Sequence, residues 1–321
     1  MSDPTFRTVE VNGIHMHIAE QGTGPLVLLC HGLPESWYSW RHQLRALAAA
    51  GFRAVAPDMR GYGQTDQPQA IDQYTILHLL GDAVGLVDAL GVEQAVIVGH
   101  DWGGPVAWHS ARLRPDRFRA VIGLSSPYTA RRIARPSTVM PLTADTQFYQ
   151  LYFQKPSVAE AELERDPRAS VRNIFYAASG EAPRGTGASL VMVPRVGGFL
   201  HGAAAPATLP AWLSEADVDF YASEFQRTGF CGGLNWYRNI DRNWELLAAF
   251  ADMPVTVPAL YIAGDRDVVN FPRMDEHIAN LKRHVPRLAE TVILSGCGHW
   301  TQQERPREVN DAMIGFLRSF A

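Results

Sequence analysis

Apolar residues in the first third of the chain fall into short, nearly unbroken runs: PLVLLCH (25–31), RAVAPD (53–58) and QAVIVGH (94–100). Runs of this length without polar alternation suit strands covered on both faces. Before them, RTVEV and IHMHIAE flank Val11-Asn12-Gly13, which predicts a hairpin. Apolar positions at helical spacing run from Trp37 to Ala50 and from about Ile76 to Leu90. RAVIGLSS (119–126) follows a third helical run. Strand and helix alternate again near the end, with PALYIAG (258–264), a helix around Met274–Leu281, TVILSG (291–296) and a last helix in REVNDAMIGFLRSF (307–320). The pattern predicts an α/β fold: eight strands, mostly parallel after an antiparallel start, with helices on both faces.

From Tyr128 to Leu247 the rhythm changes to aromatic, helical and loop-rich sequence. Ser214 predicts a helix cap, with Asp217 in the first turn and Gly229 after the last residue, Thr228. Arg184 to Pro210 shows little periodicity and reads as irregular connection. The expected organisation is a core of residues 1–127 and 248–321 carrying a helical cap, or lid, of residues 128–247.

Composition narrows the function without naming it. The chain has 321 residues and a net charge of −4, so it presents no basic face for nucleic acid. No apolar stretch approaches the roughly 20 residues that span a bilayer. The start lacks a basic and apolar leader pattern. Cys30, Cys231 and Cys297 are odd in number and show no CxxC spacing, which argues against a disulfide framework or a zinc site and fits a reducing cytoplasm. Cys30 and Cys297 read as small packing residues. Neither metal nor cofactor is expected, and nothing in the chain distinguishes a monomer from a homodimer.

Candidate chemistry gathers where strands end. GHDWGG (99–104) joins an apolar run to a helical one through a glycine-rich turn, and no GxGxxG or GxxxxGK[ST] accompanies it. Gly99, Gly103 and Gly104 let strand and helix approach around Asp101. His31-Gly32-Leu33-Pro34 follows another strand. Its loop can aim the Leu33 N–H at the turn, to form an oxyanion hole with the Trp102 N–H; the His31 side chain and Pro34 read as bracing. His299 stands in the glycine turn GCGHW. Gly264-Asp265-Arg266-Asp267 offers an acid to orient it, with Asp267 preferred because the loop must leave the strand before a side chain can turn back. Nucleophile, acid and histidine occur in the chain order of the α/β-hydrolase fold, at carboxyl ends of strands.

HGLPESWYSWRHQ, DMRGYGQTD, VIVGHDWGGPVAW and GCGHWTQQERP resemble the core motifs of the soluble type of epoxide hydrolase in the α/β-hydrolase superfamily. YQLYFQKPSVAEAELE and GFCGGLNWYRNIDRNW resemble the cap of the mammalian soluble enzymes, without their N-terminal phosphatase domain. The resemblance implies that Asp101 is the nucleophile, His299 the general base, Asp267 the orienting acid, and Tyr149 and Tyr237 the donors to the epoxide oxygen. By composition alone Tyr152 and Tyr221 offer equal phenols. Trp102, Phe148 and Trp236 are expected as apolar pocket walls. The partners implied are a small apolar epoxide and water, in a detoxifying role, with no nucleic acid and no membrane.

Carboxylate chemistry fits that substrate. A serine that attacked a saturated carbon would leave an ether, whereas an aspartate leaves an ester that a histidine-activated water can cleave. Two other readings stay open on the sequence: a haloalkane dehalogenase using the same triad, and a non-catalytic small-molecule receptor on the same fold.

Overall fold

The hairpin that opens the chain sets the first strand pair. In a computed structural model, which describes residues 3–186, 188–201, 203, 206–269 and 273–320, β1 (Thr5–Val11) and β2 (Ile14–Gln21) pair antiparallel from Thr5–Glu20 to Val11–Ile14. Asn12 and Gly13 both have positive φ, +46° and +76°, as a two-residue primed turn requires. There follow β3 (Leu26–Cys30), β4 (Arg53–Pro57), β5 (Ala95–His100) and β6 (Phe118–Leu124). An insertion with a two-stranded ribbon, β7 (Thr146–Phe148) and β8 (Met192–Pro194), precedes β9 (Ala259–Gly264) and β10 (Leu288–Leu294). The eight-stranded sheet has the order β1-β2-β4-β3-β5-β6-β9-β10. β2 runs antiparallel to β4, and all pairings from β4 to β10 are parallel.

Every residue of β3, β5 and β9 is buried, which explains their unbroken apolar sequences. Alternate residues feed opposite faces. Leu26, Leu28 and Cys30 join one apolar cluster, and Val27 and Leu29 join the other. Cys30 and Cys297 are buried in this packing; Cys231 is exposed.

Helices follow the expected runs, with one refinement. The single helix expected from Trp37 starts as a 3₁₀ turn (Trp37–Trp40) before the α-helix Arg41–Ala49. Ile76–Ala89, Gly103–Leu113, Met274–His284 and Pro306–Arg318 are helical. Among the described residues no helix is long and apolar enough to cross a membrane.

Between β6 and β9 none of the described residues joins the main sheet. Its best-marked helix, Glu215–Thr228, has a reciprocal cap: Asp217 N–H donates to Ser214 Oγ and Ser214 N–H donates to Asp217 Oδ2. Gly229 ends it at φ +65°. Arg184–Pro210 is not wholly irregular. A helical turn, Ala188–Val191, leads into β8, which pairs antiparallel with β7. Three-residue strands are too short to show a period. Residues 187, 202, 204 and 205 of that segment lie outside the described residues.

Candidate active site

Asp101 sits at the turn between β5 and the helix Gly103–Leu113, with φ +50°. The turn is tight because glycines leave no side chain in the way. A Cβ on Gly99 would meet the Gly103 carbonyl, and one on Gly103 would meet the Cys30 carbonyl. Gly32 matters equally, since a Cβ there would occupy the place of the Asp101 carboxylate. Leu33 N–H donates to Asp101 Oδ1 at 2.8 Å. The Leu33–Pro34 peptide is cis, and both residues line the cavity above Asp101. The Trp102 N–H, expected as the second donor, has no hydrogen bond to that oxygen among the described contacts. His31 joins two backbone groups of the loops around the turn. Met59 N–H donates to its Nε2 at 2.9 Å, so Nδ1 carries the proton and donates to Gly32 O at 2.9 Å. Burial lowers its pKa, which suits that neutral form.

His299 reaches the carboxylate from the loop after β10. Its Nε2 lies 3.4 Å from Asp101 Oδ2. Its Nδ1 lies 3.1 and 3.2 Å from the two oxygens of Asp267, which is fully buried after β9. Asp265 has another role: it accepts from Gly296 N–H at 2.7 Å and from Ser295 Oγ at 3.3 Å, pinning the loop that carries the histidine. Burial depresses the imidazole, yet the charges and hydrogen bonds of Asp267 and Asp101 outweigh burial and hold His299 well above the usual histidine range.

Three buried residues that sequence reasoning missed tie these loops together. Glu35 Oε2 accepts from Gly32 N–H at 3.0 Å and from His100 Nδ1 at 2.7 Å; Oε1 accepts from Gln302 at 2.9 Å. His100 Nε2 donates to the His299 carbonyl at 2.7 Å. Burial would raise Glu35, but His100 beside it holds it at about 2. Glu304 gathers three backbone donors: Gly180 and Gly298 N–H at 2.9 Å on one oxygen, and Trp300 N–H at 3.1 Å on the other. The available signal was a titratable residue at the end of an all-apolar strand (His100) and acids beside the HGLP and GHW motifs.

Tyr149 and Tyr237 line the same cavity, of about 50 Å³, with Asp101 and His299. Their rings meet edge to face at 5.8 Å, and Tyr237 packs edge-on to Trp102 at 5.1 Å. Burial, and then the charge of Asp101, raises both phenols, which therefore carry their protons. The rival phenols are engaged elsewhere: Tyr152 donates to Glu162 at 2.6 Å, and Tyr221 is bonded to Ser39 at 2.7 Å. The expected walls separate into two cases. Trp102 and Phe148 line an adjacent, larger cavity. Trp236 is corrected from pocket wall to core: it is fully buried, its indole N–H donates to Arg60 O at 3.1 Å, and it lines neither cavity. Its place is set by that bond and by edge contacts with Tyr62 and Trp102. Leu33, Phe153 and Phe199 supply apolar wall instead.

The alpha/beta hydrolase fold family matches residues 25–306. The chain is 45% identical over 326 residues to epoxide hydrolase A of Mycobacterium tuberculosis, covering 99% of this chain and 98% of that protein. It is 43% identical over 317 residues to epoxide hydrolase 3 of Siraitia grosvenorii, covering 98% of each. An epoxide hydrolase structure from an endophytic Streptomyces superposes with a TM-score of 0.96 at 46% identity, covering 100% of this chain and 97% of that one. The chain belongs to the α/β-hydrolase fold family and, within it, to the epoxide hydrolases.

Proposed function

We propose that the enzyme opens an epoxide to a vicinal diol through an ester on Asp101, beneath a lid formed by residues 128–247. Asp101 Oδ2 attacks one ring carbon from behind as the C–O bond breaks. Tyr149 and Tyr237 donate hydrogen bonds to the departing oxygen, which becomes the first hydroxyl by taking up the proton that the His299 imidazolium gives up once Asp101 is esterified. Water then loses a proton to His299 Nε2 and attacks the ester carbon, and the oxyanion develops on Oδ1 against the Leu33 N–H, with the Trp102 N–H closing on it as that charge grows. Asp267 stabilises the imidazolium. Collapse releases the diol and leaves one oxygen of water in the Asp101 carboxylate.

The observation that carries this reading is the division of the Asp101 carboxylate: one oxygen is held by Leu33 N–H at 2.8 Å and the other faces His299 Nε2 at 3.4 Å. The electrostatics order the steps. While Asp101 is anionic, His299 is held protonated between two carboxylates. Esterification removes one of those charges, so the imidazole becomes a base only once there is an ester to hydrolyse. Two phenols above the carboxylate favour an ether oxygen over a halide as the leaving group. His299 in reach of both Asp101 and Asp267 favours turnover over simple binding.

One turnover of styrene oxide in heavy-oxygen water tests the scheme. The label is expected in the peptide carrying Asp101; label in the diol with an unlabelled peptide would mean direct attack by water. Halide release from a chloroalkane, without diol from epoxides, would transfer the reading to dehalogenation.

A further inference from the structure

Two phenols that act on one departing oxygen must stand at the right spacing. A hydrogen bond weakens steeply as the donor leaves its best distance and line, and here two donors have to reach the same atom at once. Tyr149 and Tyr237 come from distant stretches of the insertion. Tyr149 opens a single helical turn, Tyr149–Tyr152, and Tyr237 sits in the last turn of the helix Cys231–Arg238. The Phe153 ring fills the space between them, 5.8 Å from the Tyr149 ring and 5.0 Å from the Tyr237 ring. Contacts of that kind exclude water but do not fix a distance.

One side chain joins the two stretches directly. Gln154 Nε2 donates to Gln150 O at 2.8 Å and to Tyr237 O at 2.8 Å. Both acceptors are carbonyl oxygens, so only the NH₂ end of the amide can serve them, and both of its hydrogens are used. The local backbone explains why Gln150 O is free to accept. The turn tightens after Tyr152: the Gln154 N–H bonds Leu151 O at 3.2 Å, not the Gln150 carbonyl that an α-helix would give it. The Gln154 side chain takes the carbonyl that its own main chain leaves. Gln150 in turn donates from Nε2 to the Tyr149 hydroxyl at 3.1 Å, so the residue whose main chain is held also touches the phenol. Gln154 itself is half-buried and lines neither cavity, which means that it reaches the substrate only through the tyrosines.

We infer that Gln154 is a positioning residue for ring opening: its amide ties the Tyr149 segment to Tyr237 and so sets the spacing of the two phenols. The inference rests on the epoxide-opening reading, in which both phenols donate to the departing oxygen. It gives the roof one pair of directional bonds, at the main chain, and leaves the rings to pack by contact. Gln154 bonds to nothing on the loops of Asp101, His299 and Asp267, so its loss bears on alkylation and spares hydrolysis of the ester.

The test is Gln154→Met, which keeps the length of the side chain and loses both donors. Single-turnover kinetics with styrene oxide should show alkylation slowed about three- to tenfold, the worth of one neutral hydrogen bond, with ester hydrolysis unchanged. A double-mutant cycle separates positioning from simple support. In a Tyr237→Phe background there is no pair left to space, so Gln154→Met should cost less than about twofold. An equal loss in both backgrounds, equal slowing of alkylation and hydrolysis, or no slowing at all overturns the inference. If Gln154→Met does not fold, Gln154→Asn is put through the same cycle with the same outcomes; it keeps an amide but is one methylene short of bridging both carbonyls. Failure of both variants to fold marks Gln154 as a structural residue and also overturns it. The tyrosines separate the two levels. If Tyr149→Phe and Tyr237→Phe slow alkylation and the Gln154 variants do not, only the clamp falls. If neither phenol matters, their role in ring opening falls with it, and no turnover of styrene oxide by the native enzyme removes the epoxide-opening reading itself.

Discussion

The floor and the roof of the catalytic cavity are held by different means. On the floor, Asp101, His299 and Asp267 stand on loops at strand ends, and each loop is fastened by charged or backbone hydrogen bonds: Glu35 to Gly32 and His100, His100 to the His299 carbonyl, Asp265 to Gly296. In the roof, Tyr149 and Tyr237 are set mainly by ring contacts with each other, Phe153 and Trp102. Directional bonds fix atoms to a few tenths of an ångström, whereas edge-to-face contacts tolerate sliding. The floor is therefore built for one chemistry, and the roof for fitting different substrates to it.

Substitutions can break or sharpen that contrast. The largest expected effect is on the floor. Asp101→Asn should lower kcat by on the order of 10⁴-fold or more, as loss of a covalent nucleophile does, and His299→Gln should accumulate a substrate adduct visible in the intact-protein mass. Asp101→Asn should also lower the His299 pKa, because one of its two carboxylates is gone; NMR titration of the imidazole checks it, and an unchanged value would break the proposed order of steps.

Next comes the buried pair beneath. Glu35→Gln leaves His100 without its counter-charge and should cost about 3–5 kcal/mol of stability. Glu35 is depressed in the folded state, so its contribution is present above its ordinary value near 4.5 and is lost as pH falls from there toward about 2. Acid unfolding of the native protein should show that loss between those limits, and Glu35→Gln should flatten it.

Roof changes should be smaller. Tyr149→Phe and Tyr237→Phe should each lower the alkylation rate by about ten- to hundredfold, the worth of one hydrogen bond to a developing charge, about 1.5–3 kcal/mol. They should leave hydrolysis of a preformed ester nearly unchanged; single-turnover kinetics separates the two. Smallest is Trp236→Phe. It should cost about 1–3 kcal/mol of stability through the orphaned Arg60 carbonyl and leave the enantiomer ratio of the diols unmoved, since the ring lies outside both cavities.

Much of the floor was legible in the sequence because its signals are local. The strands of the sheet announce themselves by being apolar throughout, and the residue types at Asp101, Leu33 and His299 are set by tight turns within a few residues of each strand end. Glu35, His100 and Glu304 were not legible as a system. Besides near neighbours, they join partners 65 and 199 residues away for His100 and 124 for Glu304, and only the closed sheet brings those together. The insertion was least legible. Its ribbon has three-residue strands, and Trp236 differs from a pocket wall only by which side of its helix faces Arg60.

Glu304 has a consequence for how molecules get in and out. Its single carboxylate holds the insertion at Gly180 and the histidine loop at Gly298 and Trp300, and the Ala178 carbonyl takes the His299 N–H at 2.9 Å. An insertion that swung away as one piece would drag His299 with it. The doorway is therefore expected elsewhere in the insertion, with residues 178–180 as its fixed jamb. Hydrogen exchange at Gly180 as slow as at Gly298, beside faster exchange in 130–145, is the signature of that arrangement, and rapid exchange at Gly180 would contradict it.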